Sequence, residues 1–150
     1  MKNGSVTTCN ATYVLSAVIL VAAVLAASPS AAKIKKGALV LRSGQVNDAA
    51  SYKNEDTDSN DKLLHVSALC SPGASTKSKS ADLIATDRTR GTSRLFANVY
   101  GATQASTIMS TGGTIESKPL KNNPNHCEIS GLSVAKIKGV WSKCTLAGGC

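Results

Sequence analysis

The chain has 150 residues, with 17 basic and 9 acidic side chains and a formal net charge of +8. That length suits one small domain. Aromatic residues make up only 3% of the sequence, which argues against a single-strand nucleic-acid binder built on base stacking and leaves a core dependent on aliphatic side chains.

In chain order, the first feature is a targeting segment. A short n-region carrying Lys2 leads into the uncharged apolar run Tyr13–Ala27, and SPSAAKIKK follows with small residues at Ser30 and Ala32. Positive, apolar and small-residue regions in that order are expected of a secretory signal, with cleavage before Lys33 or, alternatively, before Ala31. Residues 1–32 therefore read as a signal peptide and 33–150 as a single exported domain, secreted or periplasmic, with no transmembrane segment after cleavage. Membrane anchoring by residues 13–27 is the alternative, and Lys33, Lys35 and Lys36 just past the run lean that way. The run is shorter than the roughly 20 residues a spanning helix needs. Cys9 precedes the run, so it is not a lipoprotein cysteine.

Removing the signal takes away Cys9 and Lys2 but no acidic residue, which leaves a domain of net charge +7 with four cysteines: Cys70, Cys127, Cys144 and Cys150. An even number of cysteines in an exported chain reads as a disulfide framework, with three connectivities open. The short, flexible TLAGG spacer favours Cys144–Cys150, which makes Cys70–Cys127 the long-range staple.

The segment from Gly37 to Ser43 reads as a strand, the polar stretch up to Asp61 as an exposed loop, and Leu63–Cys70 as a second strand. SPGASTKSKSA reads as a flexible connection. Ala81–Arg88 and Arg94–Thr103 are further strand candidates, and QASTIMS is a helical turn or a strand ended by Gly112 and Gly113. In NPNHCEISG a turn leads into a short strand through Cys127 and Ile129. Ser133 caps an expected helix, VAKIKGVWSKC, that places Val134, Ile137, Val140 and Trp141 on one face. The expected fold is α+β, a small antiparallel sheet of short strands with one C-terminal helix. An all-β domain is the alternative.

No catalytic motif stands out. His126 and Cys127 are adjacent, but neighbours on a strand point to opposite faces, so His126 is poorly placed to activate Cys127. His65, His126 and the cysteines lack the paired short spacing of a zinc site. No serine lies in a G-x-S-x-G turn, the glycines match no phosphate loop, and Glu116 and Glu128 show no sign of facing one another. No metal or cofactor is expected. The basic charge is the remaining signal: lysines at 33–36, 77–79 and 118–143, and Arg88, Arg90 and Arg94, would attract a polyanion if the fold collects them. The three arginines are the first binding candidates, because a guanidinium makes bidentate contacts. The expected function is a non-enzymatic, disulfide-stabilised domain that binds a polyanion or an envelope or extracellular protein. A small secreted hydrolase or toxin-like enzyme centred on His126 is the alternative.

Overall fold

A computed structural model describes residues 33–52, 56–89, 96 and 98–150 of the chain. The expected signal, residues 1–32, lies outside them. The run ALVLRS forms strand β1 (Ala38–Ser43), flanked by β2 (Val66–Ala74) and β3 (Val99–Gln104). Being covered on both faces explains why β1 is continuously apolar rather than alternating. Ala38 and Val40 face one core layer, Leu39 and Leu41 the other. Strands β4 (Thr114–Ser117), β5 (His126–Ser130) and β6 (Ser142–Thr145) complete a single antiparallel sheet in the order β4-β5-β2-β1-β3-β6.

Among the described residues three short helices pack on this sheet: α1 (Ser80–Thr89), α2 (Ala105–Ser110) and α3 (Val134–Lys138). Ala105 and Ile108 of α2 and Val134 and Ile137 of α3 join Leu63, Leu132 and Trp141 in one layer. Ile84 of α1 covers the opposite face together with Phe96 and Tyr100. The fold is α+β, as expected, but its described residues carry three short helices rather than one at the C-terminus.

The differences in individual elements have physical causes. Ala81–Arg88 is helical, not extended. Its buried positions, Ser80, Ile84 and Asp87, recur at helical spacing, but two of the three are polar, so no apolar period is visible. Ser80 Oγ lies 2.6 Å from Tyr100 Oη, and Asn125 Nδ2 donates to Asp87 Oδ1 at 3.2 Å. Polar contacts thus share the work of seating α1.

The expected C-terminal helix begins at its Ser133 cap but stops at Gly139, a poor helix former. Trp141 packs into one core layer and Cys144 into the other, which one face of a single helix could not arrange. Cys144 instead pairs with Tyr100 across β6 and β3. The stretch expected to be a flexible connection is half strand, since β2 runs on through Pro72 to Ala74. Pro72 is tolerated there because β5 pairs with β2 only between Val66 and Leu69.

The disulfides join Cys70 to Cys127, 57 residues apart in sequence, and Cys144 to Cys150, 6 apart. They are the two pairs that spacing favoured. A polar knot ties residues 45–52 and Asp56 to the sheet. The Arg42 guanidinium donates to the Ser51 carbonyl at 2.9 Å and to Asp56 Oδ2 at 3.1 Å, and it lies 5.0 Å from the centre of the Tyr52 ring. Tyr52 Oη donates to the Val46 carbonyl at 2.9 Å and accepts from Trp141 Nε1 at 3.0 Å. Beside this knot, a Cβ at Gly101 would run into Val46 and Trp141, so β3 must carry a glycine there.

Loop-closure entropy assigns about 4 kcal/mol to the longer disulfide and about 2 kcal/mol to the shorter. In urea unfolding, the C70A/C127A variant should therefore lose about twice the stability that C144A/C150A loses. Equal losses, or a larger loss for the C-terminal pair, would contradict this. A second prediction concerns Tyr52. Burial pushes its phenol above the ordinary value of 10.0, against the opposing hydrogen bond from Trp141 and the Arg42 charge. The unfolded chain therefore releases this proton first, and stability falls as pH rises past about 10. Tyr52→Phe should flatten that alkaline decline and cost about 1–3 kcal/mol at neutral pH through its lost hydrogen bonds. An unchanged alkaline slope in urea titrations would count against the buried phenol.

Candidate functional site

Pairing of β2 with β5 ends at Leu69 opposite His126, and one further bond joins the strands, from the Cys70 amide to the Asn125 carbonyl at 2.8 Å. Beyond it the turn before β5 diverges and leaves a groove along the second half of β2. Lys33, Lys35, Pro124 and His126 line one end of the groove, with Cys70 also in the wall. Ala74, Ser75, Lys79, Leu83 and Thr86 line the other end, against α1. Ser71, Pro72 and Asn125 line both parts, so the two run together.

Local sequence explains this wall of β2. Four residues step from Cys70 to Ala74 while β1 steps only from Val40 to Ala38, so the strand bulges. The Ser71 hydroxyl closes the bulge, accepting from the Leu39 amide at 2.8 Å and donating to the Gly73 carbonyl at 2.6 Å. A Cβ added at Gly73 would meet no atom within 4 Å, so the groove is open above it.

The charge along the groove is uneven. Among the described residues, Lys79 and Lys118 are the only lysines in ion pairs, with Asp82 at 3.4 Å and Glu116 at 3.0 Å. The Glu116 carboxylate raises the Lys118 amine above its ordinary value by hydrogen bonding and charge. Lys33 and Lys35 have no such partner among the described residues. Several carboxylates are held elsewhere: Asp56 by Arg42, Asp48 by the Ala50 amide, and Asp58 by the amides of Asn60 and Lys62, which pull its carboxyl below the ordinary value. One end of the groove is therefore positive and the α1 end is neutralised.

His126 Nδ1 lies 2.7 Å from the Lys118 carbonyl, which can only accept, so Nδ1 donates to it. Nε2 is 3.4 Å from Ser67 Oγ. Ser67 pairs directly with Glu128, and a carboxylate in that position opposes the oxyanion that acyl transfer requires. Cys127, on the opposite side of the strand from His126, is buried and disulfide-bonded, so it offers no thiolate.

Glu116 and Glu128 do face one another across β4 and β5, although nothing in the sequence indicated it. Each has a partner: Lys118 pairs with Glu116, and His65 Nδ1 lies 3.4 Å from the Glu128 carboxylate. Among the described residues no three histidine, cysteine or acidic side chains lie together as a metal site would need. No helix among them is long and apolar enough to cross a membrane.

Of the arginines singled out from the sequence, Arg88 is exposed near the end of α1 and donates to the Phe96 carbonyl. Arg90 and Arg94 lie outside the described residues. The basic groove end instead draws on Lys33 and Lys35, already noted for their charge, and on the NPNHCEISG segment. Pro72, Ser117 and Asn125 carried no signal in the sequence, because strand divergence, not composition, puts them on the groove. Comparison with known protein families, curated proteins and solved structures finds no match.

Proposed function

We propose that the protein is an exported domain that binds an anionic polymer along this groove, with residues 1–32 as its secretory signal. The observation that carries the proposal is the groove's positive end, where Lys33 and Lys35 face no carboxylate among the described residues. Unpaired cations beside a concave surface attract anionic chains more strongly than the same charges spread over a convex one. Cleavage before Lys33 would add a cation, since the new α-amino group would sit at the groove mouth. Two disulfides suit a domain that works in an oxidising compartment.

This reading gives first place to the lysines over Arg88. Asp82, Leu83 and Thr86 present α1 to the groove, and Arg88, two residues beyond Thr86, lies about 200° further round the helix. The exported protein should be retained on immobilised heparin at low salt. K33E/K35E should elute at clearly lower salt, and its log-affinity against log-salt slope should fall by about 2. Arg88→Ala should leave retention unchanged. Unaltered retention of K33E/K35E, or its loss in Arg88→Ala alone, would overturn the proposal.

A further inference from the structure

We infer that the groove's ligand is an acidic polysaccharide, with one carboxylate at the Lys33–Lys35 end and neutral hydroxyl-bearing units lying along Ser71–Ser75. This rests on the anionic-polymer reading above and assigns its chemical class.

Charge spacing is the first argument. A nucleic acid carries a phosphate on every unit, so a strand lying in the groove would place negative charge along its full length. The cations are confined to one end, and at the other Lys79 is neutralised by Asp82. The Cys70–Ser75 wall, at about 3.3 Å per residue, spans roughly 15–20 Å. That is room for a short oligosaccharide whose acidic groups are spaced apart.

The second argument is the absence of stacking surface. Tyr52, Phe96, Tyr100 and Trp141, the described aromatics, are all at least 93% buried, so no described ring is available to a base.

The third argument excludes an acidic peptide. An extended peptide would bind by adding a strand to the free edge of β2, which needs backbone donors and acceptors in register. Pro72 supplies no N–H, and the Gly73 carbonyl is already taken by the Ser71 hydroxyl. The edge is blunted against strand addition.

Side-chain hydroxyls remain. Ser75 at one end of the groove and Ser117 at the other have no hydrogen-bond partner for Oγ among the described residues. Free hydroxyls beside a shallow apolar strip of Pro72, Ala74 and Leu83 suit the mixed polar and CH surface of a sugar.

The test is calorimetric titration of the exported protein at one salt concentration with four probes. These are a hyaluronan tetrasaccharide, whose carboxylates fall on alternate sugars, its fully methyl-esterified form, hexathymidylate and hexaglutamate. The hyaluronan tetrasaccharide should bind at least about tenfold more tightly than the other three, and K33E/K35E should weaken it by at least the same factor. Gly73→Met, which projects into open space and should not disturb folding, should weaken it by a similar factor by filling the neutral half. If hexathymidylate or hexaglutamate binds as tightly and is lost in K33E/K35E, the polysaccharide assignment falls while the groove remains a polyanion site. Indifference to Gly73→Met has the same meaning. If no anionic probe binds, or the esterified probe binds equally well, or K33E/K35E changes nothing, both fall.

Discussion

Where β2 and β5 part company, after Leu69 and His126, a covalent bond holds them. The Cys70–Cys127 disulfide does not join directly opposed residues: Cys127 pairs with Ala68, so the bridge crosses the ladder diagonally to the first residue beyond the paired region. Both cysteines are buried, and Cys70 also pairs with Val40 of the central strand. One bond therefore links the middle of the sheet to the strand whose departure opens the groove. In a chain with so few aromatic side chains, that constraint supplies stability that ring burial would otherwise provide.

The rest of the surface follows from uneven covering of the sheet. One face is closed by α2, α3 and the loop residues Val46, Tyr52 and Leu63. The other is covered by α1 over the central strands, leaving His126, Glu128 and Glu116 at least partly exposed on β5 and β4. The groove lies at the margin of this second covering, where the α1 residues Leu83 and Thr86 meet the turn at Asn125. The Asn125–Asp87 hydrogen bond ties that turn to the helix. Groove width is thus set by two independent attachments, a disulfide on the β5 side and a buried carboxylate under α1.

Much of the scaffold was legible because its signals were local. The fully covered β1 shows as an apolar run, the four cysteines beyond the apolar N-terminal segment show as a disulfide framework, and Ser133 shows as a helix cap. What escaped depended on distant partners. The inner face of α1 carries Ser80 and Asp87, which become acceptable in a core only when Tyr100 and Asn125 meet them. Ile115 is the only strongly apolar residue of β4, too little for a strand pattern. Gly139 ends α3 because β3 competes for the following residues. Lys33, Pro72 and His126 are remote in sequence and meet through β2–β5 divergence, so the charge of Lys33 could be noted beforehand but not the grouping.

The most direct test of the groove as binding surface is mapping of backbone amide shifts in the labelled, oxidised protein during titration with the hyaluronan tetrasaccharide. Shifts are expected to concentrate at residues 33–35, 71–75, 117 and 125–126, and to disappear on reduction of the disulfides. Shifts centred instead on the exposed lysines of α3, or spread evenly over the basic surface and unaffected by reduction, would contradict a site built by the Cys70–Cys127 bond.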